Sequence, residues 1–294
     1  MDSAENNHVA GIIPVAGQPD NFQFEWHDCL MPLAQNYTAL ERAVVECAYA
    51  GCKTIWIVCN DDTTPLVRYR IGDWVEDPVW IGRKYKFPSQ ERKQIPIFYV
   101  PIHPKDRDRR DCLAWSIIYG ALQAFRVNAT ISRWVIPKHY YVAFPYGVYD
   151  PKILREYRAD IGRGEFFLSH AGKTVRDGEY IGFTFGVEDF IRYRRVIRTG
   201  TGKLTPGSTH LDKENLPFEE RWSARHFTLD KVFKSATIEE STVVELPWYY
   251  NIDSWEKYRE FLGSEQELKH PGRLIMSYHE FNPIGGTSDQ EARD

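Results

Sequence analysis

The chain has 294 residues, 43% of them hydrophobic, enough to bury one large core or two modest ones. Its formal net charge of -4 gives no global case for nucleic acid or an anionic membrane surface as partner. Five cysteines without a CxxC pair predict reduced core thiols, not disulfides or a zinc site.

The opening "MDSAENNH" is acidic and polar, unlike a signal peptide, and residues 1–7 are expected to form a tail. No apolar run approaches the ~20 residues of a membrane span, so the expectation is a cytoplasmic protein with no membrane partner. "VAGIIPVAG" (Val9 to Gly17) is a short apolar run ending in glycine, as for a buried strand feeding a loop. Thr38 to Glu41 is a T-x-x-E capping box, and Gly51 closes the helix that it opens. "KTIWIVCN" is a second β-rich run, which makes residues 9–59 a βαβ unit. A helix begun by "TTP", a strand over Ile95 to Ile102 and a helix over Arg110 to Phe125 follow.

"HYYVAFPYGVYDP" ends a strand and turns into a helix over "PKILREYRAD". "EFFLSHAG" and "EYIGFTFG" suit a hairpin, "VEDFIRYRRVIR" a helix, and residues 199–225 a long loop or lid. Helix, strand and helix then follow over "TLDKVFKSA", "STVVELPW" and "SWEKYREFLG", before a polar tail over residues 264–294. Strands alternating with helices argue for a three-layer α/β/α sandwich with a mainly parallel, mixed sheet, as a single domain over residues 8–263.

In this order, three segments resemble the sugar-nucleotide pyrophosphorylases and related nucleotidyltransferases of the GT-A-like nucleotide-diphospho-sugar fold. They are "GIIPVAG" with "CLMPLAQNYTALERAVVECAYAGCKTIWIVCND", then "YYVAFPYGVYDPKILREY", then "PWYYNIDSWEKYREFL". The resemblance implies a metal-dependent enzyme of nucleotide-sugar chemistry, a nucleotidyltransferase or glycosyltransferase, with Mg²⁺ or Mn²⁺ as cofactor. It implies a phosphate cradle at Val15, Ala16 and Gly17. It also implies a metal held by Asp150 with Asn251 or Asp253. Asp61 and Asp62, at a strand's carboxyl end, could contact a base or sugar or form a solvated turn. Each of these has an ordinary structural reading too. Gly17 could be a strand-end turn, Asp150 the N-cap of a helix that starts at Pro151, and Asp253 or Ser254 the cap of the next.

The family's G-x-G-T-R loop clamps phosphate with an Arg and a following Lys. Here the loop reads "GQPDNFQFEWHDCLMP", with Asp28 about where that Lys belongs, and no Lys or Arg occurs from Met1 to Glu41. Losing one such cation typically costs on the order of 3–4 kcal/mol of transition-state stabilisation. Three remedies stay open: a metal in the acidic loop, a distant cation such as Arg42, Arg68, Arg109 or Arg110, or a nucleotide sugar with fewer phosphate charges. Arg109 and Arg110 are the expected catalytic cations.

The alternative is a catalytically inactive module of the same fold, acting in binding or assembly through aromatics such as Trp74, Trp80 and Trp222. "RYRRVIR" (Arg192 to Arg198) and "RKYKF" (Arg83 to Phe87) alternate cations with tyrosines, as single-strand binders do. The nearby Glu188 and Asp189 argue against nucleic acid as the partner. Homo-oligomerisation is left open.

Overall fold

The computed structural model describes residues 8–17, 27–81, 93–131, 136–203, 222–239 and 241–271. The 1–7 tail, the loop residues Asp20 and Glu25, the "RKYKF" run, most of the 199–225 loop and most of the C-terminal tail lie outside them.

The first half runs β1 (Val9–Pro14), β2 (Pro32–Ala34), β3 (Tyr37–Thr38), α1 (Ala39–Ala50), β4 (Thr54–Cys59), α2 (Thr64–Ile71), β5 (Trp74–Glu76), α3 (Pro78–Ile81), β6 (Gln94–Pro101), α4 (Pro104–Arg110) and α5 (Leu113–Ile131). The second runs β7 (His139–Val142), β8 (Gly147–Val148), α6 (Arg158–Arg163), β9 (Phe166–Ser169), β10 (Phe183–Gly186), α7 (Val187–Thr201), α8 (Leu229–Phe233), β11 (Thr242–Glu245), β12 (Tyr250–Asn251) and α9 (Trp255–Leu262).

Eight strands form one sheet in the order β11-β9-β10-β7-β1-β4-β6-β5. The centre is parallel: β1 pairs with β4 and β7, and β4 with β6. Antiparallel pairings of β10 with β7 and β9, and of β5 with β6, make it mixed. β1 and β4 are buried along their whole length, which is why both read as unbroken apolar runs. The crossover from β1 through α1 to β4 and the return through α5 to β7 run in opposite directions. Right-handed connections therefore put α1 and α5 on opposite faces, giving the three-layer sandwich. The Thr38 capping box and the left-handed Gly51 delimit α1 as the sequence predicts.

Two predicted helices differ. "KDRDRR" is itself the short helix α4, with Pro104 in its first turn and His103 capping it. After Pro151 the chain makes only a 3-10 turn (Pro151–Arg155) before α6. All five cysteines are buried and unbonded. Trp74, Trp80 and Trp222, expected on the surface, are half-buried. Tyr193 is also buried, packed edge-on against Phe185 and Phe233, and Arg192 pairs with Asp189. The alternation in "RYRRVIR" therefore offers no exposed tyrosine at 193 for a base to stack on.

One ionic pair lies wholly inside. Arg42 and Glu46, one turn apart on α1, meet at 2.8 Å with both side chains fully buried. The Tyr141 hydroxyl (2.7 Å) and the Tyr149 hydroxyl donate to Glu46 Oε1. Arg42 donates to the Phe144 carbonyl at 2.6 Å, and its guanidinium lies 4.7 Å from the Tyr149 ring centroid. Burial pushes the Glu46 carboxyl up, while Arg42 and the two tyrosines pull it back. Gly182 closes the pocket around this group: a Cβ there would stand 2.3 Å from the Tyr141 hydroxyl and 2.7 Å from Glu46 Oε1.

Removing one partner strands the other charge in the interior. Glu46→Gln should destabilise by about 3–5 kcal/mol, read from denaturant midpoints at constant m-value. The double variant Arg42→Met/Glu46→Leu should recover part of that loss, since the Tyr141 and Tyr149 hydroxyls and the Phe144 carbonyl lose their partners.

Candidate functional site

From β1 the chain steps outward through β4 to β6 and then returns to the other side of β1 as β7, so the strand order reverses between β1 and β7. Such a topological switch point is where open α/β sheets open a crevice. A cleft of about 210 Å³ lies there. Val15 and Gly17 line it after β1, Asn60, Asp62 and Thr63 after β4, and Tyr146 after β7. Asp111, just before α5, and the turn His27–Cys29 complete the lining.

Local chemistry fixes each wall. The amides of Val15 and Ala16 both donate to the Val58 carbonyl, at 2.8 and 2.9 Å. These two N–H groups, expected to cradle phosphate, are thus spent inside the sheet edge. Ser116 Oγ donates to the Ala16 carbonyl at 2.7 Å and ties α5 to the same strand end. Gly17 adopts φ +76°, and a Cβ there would stand 2.3 Å from the Cys112 carbonyl carbon. Glycine is required by this close approach to α5, whatever binds beside it. After β4, the Asn60 carbonyl accepts from the Thr63 and Thr64 amides and from both their hydroxyls, so the turn is rigidly hydrogen-bonded.

The electrostatics are acidic. Asp28 is 1% exposed, and among the described residues neither of its carboxylate oxygens has a hydrogen-bond partner. Burial pushes this carboxyl up to about 7, with only a partial offset from its own backbone amide. Asn60 Oδ1 is also buried without a partner. Asp62 meets Arg107 of α4 at 3.7 Å on the exposed side. Burial pushes the Cys29 thiol far above its usual range.

The expected site residues fall in several places. Asp61 is exposed on the turn after β4, and it is Asp62 that lines the cleft. Arg109 stacks its guanidinium 5.1 Å from the Trp222 ring. Arg110 is held by Asp106 at 2.6 Å and by the Trp115 ring at 4.0 Å. Neither lines the cleft; the α4 arginine that reaches it is Arg107. Asp150 is exposed and caps the Pro151 turn, accepting from the Lys152 amide at 3.0 Å. Asn251 Oδ1 accepts from the Asp253 amide at 3.0 Å, and Asp253 pairs with Lys257 at 2.8 Å. Each member of the expected metal set thus has a local structural partner. Among the described residues, no group of three or more His, Cys, Asp or Glu is arranged to hold a metal. Of the more distant cations, Arg42 is locked on Glu46 and Arg68 bonds Asp73 at 3.0 Å.

Sequence reasoning missed Asn60, Asp111, Tyr146 and Arg107, whose roles come from contacts between segments far apart in the chain. It registered Asp28 only as a charge of the wrong sign.

No protein-family model matches the chain, and no curated protein matches it by sequence. Among solved structures it is similar to a putative glucose-1-phosphate thymidylyltransferase from Bacillus anthracis in complex with sucrose. The identity is 9%, over 90% of this chain and 97% of that one, with a TM-score of 0.49. It is similar to a UDP-glucose pyrophosphorylase complexed with UDP-glucose at 12% identity, over 86% and 97% of the two chains, with a TM-score of 0.49. It is also similar to Rv0371c from Mycobacterium tuberculosis H37Rv complexed with manganese, at 14% identity, over 87% and 99%, with a TM-score of 0.46. At these identities and scores the likenesses assign neither activity nor ligand to this chain.

The buried carboxylate gives a pH signature. Asp28 titrates at about 7 in the folded protein and near 4 when unfolded. Between those values the folded state keeps a proton that the unfolded state has lost, so Asp28 makes stability fall as pH rises through this window. Asp28→Asn should abolish that fall, leaving the variant more stable than wild type at pH 8 by on the order of 4 kcal/mol and little changed at pH 4. Thermal unfolding in chelator-containing buffer at the two pH values checks it.

Proposed function

We propose that the protein is a metal-dependent enzyme of nucleotide-sugar chemistry, a nucleotidyltransferase or glycosyltransferase, and that the switch-point cleft is its donor site. The observation that carries this reading is the cleft's position at the carboxyl ends of β1 and β7, where the strand order reverses, beside the carboxyl end of β4. The ordered likeness of the three sequence segments supports it: the first forms β1, α1 and β4, the second β7 and the Asp150 turn, and the third β12 and α9.

The charge of the cleft favours one ligand class over another. Nucleotidyl transfer from a triphosphate is driven by positioning and by neutralising charge on phosphorus. The described lining contains three aspartates and no Lys or Arg, with Arg107 reaching it only through Asp62. A nucleotide sugar, with fewer phosphate charges, is the better resident ligand.

Thermal unfolding against nucleoside triphosphates, nucleoside diphosphates and nucleotide sugars, with and without Mg²⁺ or Mn²⁺, tests the reading. A nucleotide sugar at 100 times its dissociation constant should stabilise by roughly 2.7 kcal/mol, more than the matching triphosphate at equal concentration. No shift with any nucleotide sugar would refute it.

A further inference from the structure

We propose that the switch-point cleft is a divalent-cation site in which the Asp28 carboxylate and the Asn60 amide oxygen are the protein ligands. The inference rests on the cleft being the donor site, and it moves the cation away from the positions that the sequence resemblance implies.

Those positions do not fit a cation. Asp150 lies exposed in a helix cap, Asn251 Oδ1 is occupied by the Asp253 amide, and Asp253 is paired with Lys257. Asp28 is the opposite case. A carboxylate that is 1% exposed, with no side-chain or neighbouring donor to either oxygen among the described residues, carries most of the desolvation cost of its charge. Asn60 Oδ1 is a second buried acceptor without a donor, on the same cleft. The backbone of Asn60 is already held by Thr63 and Thr64, so its side chain is not needed to make the turn.

Two unpartnered oxygen acceptors make a hard-ligand set, which suits Mg²⁺ or Mn²⁺. Two protein groups are also the usual number for Mg²⁺, which keeps waters and takes its remaining oxygens from substrate phosphate. A cation so held answers the charge problem of the first loop. It neutralises Asp28 and presents positive charge to a phosphate-bearing ligand, where the loop has no Lys or Arg to do so. The charged and titratable groups facing Asp28 are His27 and Cys29 on its own turn, Asp62 after β4, Asp111 before α5 and Tyr146 after β7.

The test measures the cation alone, on the full chain without nucleotide. Mn²⁺ binding is followed by loss of the free-ion electron paramagnetic resonance signal, with Mg²⁺ as competitor, for wild type, Asp28→Asn, Asn60→Ala and Asp150→Asn. Wild type should bind, and Asp28→Asn should weaken binding by at least about tenfold because it removes the one buried charge among the proposed ligands. Asn60→Ala should weaken it less, and Asp150→Asn should leave it unchanged. Should Asp28→Asn fail to fold, Asn60→Ala against Asp150→Asn decides the matter alone. Absence of Mn²⁺ binding, indifference to Asp28→Asn in a folded variant, or loss of binding in Asp150→Asn would each overturn the proposal. Nucleotide-sugar binding that persists without any cation response would remove this inference and leave the donor-site reading standing.

Discussion

The buried pair of Arg42 and Glu46 is the constraint on which the site depends. It joins α1, on one face of the sheet, to the segment that leaves β7. Tyr141 at the end of that strand, the Phe144 carbonyl and Tyr149 all bond to one or the other of these two side chains. Tyr146, which lines the cleft, lies inside this clamped span. Isosteric apolar residues could fill the same volume at less desolvation cost. The ionic pair adds direction: a carboxylate and a guanidinium fix which backbone carbonyl and which hydroxyls stand opposite α1, so the loop after β7 has one register. From there β8 pairs with β12, and the Ile252 amide donates to the Tyr146 carbonyl, which draws the late part of the chain onto the same side.

The cleft departs from an ordinary phosphate site in charge more than in position. Phosphate loops work by aiming free amides and cations at the anion. Here two of the three candidate amides are bonded to Val58, and the side chains that face the space are mostly acceptors. An unpartnered buried carboxylate costs stability, so its retention points to a role outside folding. That separates the buried pair at Arg42 and Glu46, which holds α1 to the segment after β7, from the unpartnered carboxylate of Asp28 in the cleft.

Much of the fold was legible in the sequence because it rests on local rules. Apolar runs marked β1 and β4 because parallel strands are buried on both faces. The Thr38 to Glu41 box and Gly51 marked the ends of α1 because caps are short-range. Gly17 was found at the right place, although its glycine is fixed by contact with Cys112, which no local pattern reveals. The site was less legible. Whether Asp28 is paired, whether Arg110 is spent on Asp106 and Trp115, and whether Asn251 faces a neighbouring amide are all questions of tertiary contact. The expected metal set came from resemblance alone, and the structure gives each of its members a local partner instead.

The most direct test of the cleft as the ligand site is amide hydrogen exchange of the full chain with and without a saturating nucleotide sugar and Mg²⁺. Slowed exchange confined to residues 15–17, 60–63, 111–113 and 146 is the expected result. Protection that spared these residues and appeared elsewhere, for example along α7, would contradict it.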